Sequence, residues 1–276
     1  MKLSLGFSTC PNDTFIFDAM VNGKVDTYGI EFELIMTDVE ELNHLVINQM
    51  IDISKVSFNT FGYVLDKYKL LNSGSALGFG CGPLLISKNI LSDFDTNYHY
   101  SIGIPGKYTT ANFLFSLFYP KHQKKTSMIF HEIESQLINN ELDAGVIIHE
   151  NRFTYAQKGL NKIVDLGELW ERNTNFPIPL GGIAIKNNVE PNLQQLIDKI
   201  LRNSVEFAFK NSQDTLSFVS KFAQEMDPNV MKKHIDLYVN NFSIDLGDAG
   251  KSAIRYFLEK GIELGLYQNN LDDIFV

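Results

Sequence analysis

The stretch SIGIPGKYTTANFLFSLF, from Ser101 to Phe118, restarts a pattern that the chain has already run through once. Ser101 to Ile104 alternates small and apolar residues as a strand does. Pro105-Gly106 marks a turn, and Thr109-Thr110-Ala111 opens an aromatic helix reaching Phe118. The earlier run starts at the amino terminus. Leu3 to Phe7 reads as a strand, and Asn12, Asp13 and Thr14 are each good N-cap residues for the apolar segment Phe15 to Met20. Ile30 to Met36 is expected to be a second strand. Asp38 and Glu41 then resemble a capping box ahead of the helical stripe Leu42, Leu45, Val46 and Met50. Ile51 to Phe58 supplies a third strand carrying Ser54-Lys55-Val56-Ser57, with a helix through Phe61, Val64, Leu65 and Tyr68 behind it.

Beyond Phe118 the second run continues in kind. Met128 to Phe130 is strand-like, Glu132 to Asn140 helical, and Ala144 to Ile148 a buried strand that delivers His149 at its carboxyl end. Lys162 to Leu166 reads as another strand. Gly74 to Ile86 looks like an extended strand leaving the first series, and Pro179 to Ile185 like the strand that returns to it. From Pro191 onward the spacing of Leu193, Ile197 and Ile200, of Phe218 and Phe222, and of Ile254, Phe257 and Leu258 is helical. Alternating strands and helices imply an α/β fold with a largely parallel sheet. Two such series joined by extended strands imply two lobes crossed twice by the chain. The boundaries expected are residues 1–88 with 187–276 for lobe 1, and 89–186 for an inserted lobe 2. A ligand cleft is expected between the lobes, where strand ends and helix N-termini converge.

Composition narrows the partners. With 24 Lys and Arg against 33 Asp and Glu, the net charge of -9 excludes nucleic acid and anionic membrane as main partners, because both need clustered cations. No apolar run approaches the ~20 residues that span a bilayer, and the amino terminus carries no signal-peptide pattern, so a soluble cytoplasmic protein is expected. Cys10 and Cys81 match no metal spacing and are expected to be reduced thiols. Familiar motifs are missing. Gly106-Lys107 lacks the glycine of a phosphate loop and is followed by Tyr108. Gly78, Gly80 and Gly82 meet Pro83 where a dinucleotide fingerprint needs glycine, and His131-Glu132 has no second histidine at zincin spacing. Nothing in the sequence sets an oligomeric state.

Three constellations remain. A helix starting at Thr110-Ala111 offers unpaired amides and the positive end of a dipole to a carboxylate or phosphate; ordinary capping by the threonines accounts for the same residues. Lys55, Val56 and Ser57 stand at a strand end ahead of a helix, where Lys55 supplies charge to a ligand or merely points to water. His149 sits where α/β proteins place working groups. Its imidazole is either a general base near neutral pH or a hydrogen-bonded structural residue. For Cys10 at a helix start the sequence shows no specific activating group, which favours a packed or pocket-lining cysteine.

Taken together, STCPNDTFIF (Ser8 to Phe17), Asp38 to Asn43, Ser54 to Ser57, Gly80 to Leu85, Ile104 to Ala111, GVIIHENRFTY (Gly145 to Tyr155) and Val164 to Gly182 resemble a menaquinone-pathway family. That family includes 1,4-dihydroxy-6-naphthoate synthases and chorismate dehydratases, and the pairing of STCPNDTFIF with GVIIHENRFTY is similar to the synthase branch. The resemblance implies a two-lobed fold like the type 2 periplasmic binding proteins. It also implies conversion of cyclic dehypoxanthinylfutalosine, a small aromatic carboxylate, to 1,4-dihydroxy-6-naphthoate and dihydroxyacetone, with neither a metal nor an organic cofactor. His149 matches the family's proton acceptor; Lys55, Val56 and Ser57 match one substrate-binding stretch, and Thr110 with Ala111 the other. Thr9 stands where the family usually has proline. Two rival readings keep the same fold: a non-catalytic small-molecule receptor, and the sister dehydratase.

Overall fold

The computed structural model describes residues 1–223, 227–268 and 271–276. The chain divides into two units. Met1–Gly78 and Pro179–Val276 make the first, and Phe79–Ile178 make the second. Both junctions fall earlier than the boundaries expected after residues 88 and 186. The Gly74–Ile86 segment is two strands rather than one, the first ending at Gly78 in one sheet and the second starting at Leu84 in the other.

In the first unit the chain runs β1 (Lys2–Phe7), α1 (Pro11–Val21), β2 (Glu31–Met36), α2 (Val39–Ile47), β3 (Ile53–Ser57), α3 (Phe58–Gly62), β4 (Tyr68–Leu70) and β5 (Ala76–Gly78). The second unit holds β6 (Leu84–Ser87), β7 (Ile102–Ile104), α4 (Thr110–Phe118), β8 (Lys125–Ser127), α5 (Glu132–Ile138), β9 (Ala144–Ile147), α6 (Asn151–Thr154), β10 (Asn161–Asp165) and α7 (Leu166–Thr174). The chain then forms β11 (Ile178–Lys186), which returns to the first sheet. It closes with α8 (Pro191–Lys210), α9 (Ser212–Val219), α10 (Pro228–Tyr238), α11 (Asn241–Ile244) and α12 (Gly247–Glu263). No helix among the described residues is long and apolar enough to cross a membrane.

The two sheets repeat one plan. The first is ordered β2-β1-β3-β11-β4, with β5 beside β11; the second is ordered β8-β7-β9-β6-β10. In each, the opening strand of a βαβαβ run lies between its two successors and pairs with both in parallel: β1 with β2 and β3, β7 with β8 and β9. The next neighbours are antiparallel, β11 beside β3 and β6 beside β9. The sheets are therefore mixed rather than largely parallel. The long connections that carry the chain between units bring β6 and β11 in from the opposite direction. A 2-1-3 order sends the connections after the first and third strands to opposite faces, which opens a switch point at their carboxyl ends. The switch points lie after Phe7 and Ser57 in the first unit, and after Ile104 and Ile147 in the second.

Burial explains the elements. In α1 every residue from Pro11 to Met20 is buried, because α8, α9 and α10 pack over the side not facing the sheet. A helix covered all round shows no amphipathic stripe, and Pro11 to Met20 shows none. Phe7 of β1 and Phe17 of α1 stack with centroids 4.6 Å apart, joining sheet to helix. The second core gathers Leu84, Ile86, Ile133, Leu137, Leu142, Ile147 and Leu160.

Three local expectations need correction. The helix starting near Asn12–Thr14 begins at Pro11 with Cys10 as its N-cap, since proline suits the first helical position and has no amide to satisfy. The helix expected through Phe61 to Tyr68 ends at Gly62. Tyr68 opens a strand instead, its hydroxyl donating to the Ile51 carbonyl at 2.7 Å. The strand expected at Met128–Phe130 lies at Lys125–Ser127. It is a polar edge strand, so apolar periodicity gave it no signal.

One packed histidine predicts a pH effect. His122, 2% exposed, stacks on Phe94 at 4.3 Å and is edged by Tyr98, Phe115 and Tyr119. Nε2 lies 3.0 Å from the Phe94 carbonyl. Burial holds its pKa below the usual histidine value; the Phe94 carbonyl and Asp95 oppose this more weakly. The unfolded chain therefore binds the proton more readily, so stability present above about pH 6.5 is lost as pH falls below it. Melting temperature should drop between pH 7 and pH 5, and less steeply in His122→Phe. Equal slopes would remove His122 as the cause.

Candidate functional site

In the first unit, β1 and β3 are parallel neighbours, so Ser8 to Asp13 and Lys55 to Ser57 leave the same edge of the sheet. Asp13 organises that edge. Its Oδ2 accepts from the Ser8 amide at 3.2 Å and hydroxyl at 2.7 Å, and its Oδ1 accepts from Asn12 Nδ2 at 2.8 Å and Lys55 Nζ at 2.6 Å. The Lys55–Asp13 ion pair is buried, with side chains 8% and 2% exposed. The lysine read from sequence as a solvated charge or a ligand group is thus held by a carboxylate. Sequence reasoning took Asp13 for a cap. An acidic residue close behind a strand, with a lysine on the neighbouring strand, was the available signal.

Lys55 and Ser57 alternate with Val56 along β3, so Val56 faces the opposite way. Its side chain is fully buried, which leaves only its main chain to offer a ligand. Ser57 is held from α2. Its amide donates to Asn43 Oδ1 at 3.0 Å, and its hydroxyl accepts from Asn43 Nδ2 at 3.1 Å. Asn43 also donates to Glu40 at 3.1 Å, which sets its amide orientation. A hydroxyl that accepts still has a proton to give. Asn43, fully buried, was not singled out from the sequence, where it reads as one more helix residue.

The second unit places Thr110 and Ala111 after β7 and His149 after β9, again on adjacent parallel strands and one sheet edge. Thr109 is the cap of α4: its hydroxyl accepts from the Asn112 amide at 3.2 Å and donates to the Gly106 carbonyl at 2.8 Å. Capping by Thr109 makes Thr110 and Ala111 the first helical residues, at the positive end of the helix dipole. The first turn holds no acidic residue, so its positive end is uncompensated there. Both residues are about 3% exposed.

His149 has a left-handed backbone, φ 58°. Such a conformation in a non-glycine residue costs on the order of 1–3 kcal/mol and clusters at working sites. Its ring is partly buried and lies 4.8 Å from Phe130, tilted by 57°. The left-handed turn ends β9 and starts α6, with the Arg152 amide donating to the His149 carbonyl at 3.3 Å. Arg152 itself binds Asp165 Oδ2 at 2.6 Å, the Gly80 carbonyl at 2.8 Å and the Gly82 carbonyl. Asp165 meanwhile caps α7 by accepting from the Gly167 and Glu168 amides at 2.9 and 3.1 Å.

Both cysteines are buried thiols outside any disulfide. Burial pushes the Cys81 thiol up to about 12, with Arg152 pulling the other way, so it is protonated and inert at neutral pH.

Comparison with known proteins agrees with this geometry. A family profile described as menaquinone biosynthesis matches residues 3–263. Over 274 residues the chain is 36% identical to a 1,4-dihydroxy-6-naphtoate synthase of Thermus thermophilus, covering 99% of each chain. It is 38% identical over 270 residues to a 1,4-dihydroxy-6-naphtoate synthase of Streptomyces coelicolor, covering 96% of this chain and 94% of that one. A solved protein of Archaeoglobus fulgidus matches with a TM-score of 0.90 at 30% identity, over 96% and 98% of the two chains. The alkanesulfonate-binding protein of Xanthomonas axonopodis pv. citri matches with a TM-score of 0.71 at 10% identity, over 97% and 94%, and shares the fold alone. The fold is the type 2 periplasmic-binding-protein fold, as expected from the sequence.

Proposed function

The chain belongs to the menaquinone biosynthesis family, and on that footing we propose that His149 removes the proton that starts its reaction. The protein is an enzyme, a carbon–carbon lyase with 1,4-dihydroxy-6-naphthoate synthase activity. Its substrate is a small aromatic carboxylate, cyclic dehypoxanthinylfutalosine, which it converts to naphthoate and dihydroxyacetone on the futalosine route. We assign it to the cytoplasm, where bacterial relatives make menaquinone precursors.

One observation carries the assignment of roles. At the switch point of the second sheet, the left-handed turn holding His149 and the N-terminus of α4 share an edge. A base and an anion-binding helix end on adjacent strands suit a substrate with an acidic C–H and a carboxylate. The amides of Thr110 and Ala111 bind that carboxylate and fix the ring system. The imidazole takes the proton, the electron pair left behind forms a new ring double bond as the carbon–carbon bond breaks, and the fragment that departs with that bond's electrons recovers a proton to leave as dihydroxyacetone; formation of the aromatic naphthoate drives the step. Such general-base help is worth roughly 10²–10⁴-fold. Ser57 donates its hydroxyl proton to the substrate, while Lys55 and the Val56 main chain shape the same stretch.

The test pairs product identification with Ser57→Ala. Purified wild type given cyclic dehypoxanthinylfutalosine should release naphthoate; binding without release would make the protein a receptor. Ser57→Ala should raise KM roughly tenfold, the effect of about 1.4 kcal/mol for one hydrogen bond. It should leave kcat within a few-fold. Unchanged KM would remove Ser57 from the substrate.

A further inference from the structure

We propose that Arg152 is a positioning residue for His149, holding the imidazole in its working place by fixing the four-residue helix that follows it, of which Arg152 is the second residue. The inference deepens the assignment above and rests on His149 being the base.

A helix as short as α6 has little stability of its own, because nucleating a turn costs more than one turn returns. Something outside it must hold Asn151–Thr154 in place, and with it the left-handed residue at its head. The structure supplies attachments on two faces of it. On one, Arg152 spreads its guanidinium over three acceptors: the Gly80 carbonyl at 2.8 Å, the Gly82 carbonyl, and Asp165 Oδ2 at 2.6 Å. On the other, Asn151 Nδ2 donates to Glu134 Oε2 at 2.8 Å, an oxygen that also takes Lys158 Nζ at 2.6 Å.

The anchors of Arg152 are themselves fixed. A Cβ on Gly82 would stand 2.3 Å from the Gly167 Cα, so the 80–82 segment lies directly on the first turn of α7 with no room for a side chain. The Gly80 amide donates to Glu171 Oε1 at 2.7 Å, further down α7. Asp165 is the cap of that helix. Just past Gly82, Leu84 of β6 pairs with Ile147 of β9, two residues ahead of His149. Arg152 therefore closes a loop: from His149 back along β9, across to β6 and the 80–82 segment, and through the guanidinium to α6 again.

Two features argue against a ligand role for this arginine. Its acceptors include two main-chain carbonyls, a task of stitching that a planar fork performs and a single ammonium does not. Its charge is already answered by Asp165, which is 1% exposed, while the arginine side chain is 16% exposed.

The test uses the full chain with Arg152→Met, Arg152→Lys and His149→Asn, reading kcat and KM separately and following the His149 ring nitrogens by NMR. The His149 signal is the one absent from His149→Asn. Arg152→Met should lower kcat thirty- to a hundredfold, the scale of a misplacement near 1 Å, with KM within threefold. The His149 resonances and their titration should move. Arg152→Lys, able to reach Asp165 but not to fork, should fall between and covers the case in which the methionine variant does not fold. A kcat within threefold of wild type in both arginine variants overturns the inference, and so does an unmoved His149 signal. A raised KM at unchanged kcat overturns it too, by making Arg152 a substrate contact. Near-normal turnover by His149→Asn instead sinks the base assignment, and the ring signal still decides whether Arg152 positions it.

Discussion

His149→Asn should lose roughly 10²–10⁴-fold in kcat while KM stays within a few-fold of wild type. Asparagine suits the backbone: it is among the residues that tolerate φ near 58° best, so the left-handed turn at the end of β9 survives. It also keeps a polar group near the ring's position beside Phe130, 4.8 Å from the imidazole in the wild type. What it cannot do is accept a proton near neutral pH. A substitution preserving fold, turn and anion site while removing basicity isolates the chemical role. His149→Ala would not, since alanine is strained at positive φ and would mix a turn defect into the rate. Loss confined to kcat means the interaction is made in the transition state. A variant that turns over normally would remove His149 from the chemistry, and one that loses only affinity would recast it as a binding residue.

Local pattern and long-range pairing part company most clearly at the strand ends. Ala144 to Ile148 announces itself as a buried strand through continuous apolar residues, and the histidine that ends it is visible at once. The two successive βαβ units of each sheet are legible as runs of strand and helix signals, but their 2-1-3 order is not, since the same units also pair as 1-2-3. The antiparallel strands β6 and β11 were also legible as extended segments, but not their direction, because pairing sense is set by where the connections go and not by local pattern. Side-chain alliances were least legible. Asp13 satisfies every local criterion for a helix cap, yet its carboxylate serves Ser8 and a lysine 42 positions away. Asn43 looks like any polar residue in α2, but it is fully buried and aligned on Ser57. Such pairings depend on long-range neighbours, of which local pattern gives at most a hint, as with an acidic residue close behind one strand and a lysine on the next.

Breaking the Lys55–Asp13 pair should produce the largest stability loss among single polar substitutions. Both groups are buried, 2.6 Å apart, at the carboxyl ends of two parallel neighbours. The two halves are unequal. Lys55→Met leaves a carboxylate that still accepts from the Ser8 amide, the Ser8 hydroxyl and Asn12. Asp13→Ala leaves a buried ammonium without its carboxylate and the Ser8 amide without its acceptor. Removing one partner of a buried pair typically costs about 3–5 kcal/mol. Asp13→Ala should reach that range, lowering the melting temperature by about 6–20 °C on the usual scaling for chains of this order. Lys55→Met should cost less. In the double variant Asp13→Asn/Lys55→Met no charge is stranded, and the asparagine oxygen can still serve Ser8. Its loss should fall short of the summed single losses of Asp13→Asn and Lys55→Met by about 2 kcal/mol. Additive losses would mean that the two side chains act separately, whatever their distance. Salt supplies an independent check. Exposed pairs weaken as the screening length shrinks to about 3 Å at 1 M, whereas this one is largely shielded from solvent, so most of the coupling should persist there. Because Lys55 and Ser57 point from the same face of β3, a lysine released from Asp13 also disturbs the serine two residues on. Asp13→Asn should therefore raise KM as well as lower stability, and a variant that melts early but binds substrate normally would separate the ion pair from the site.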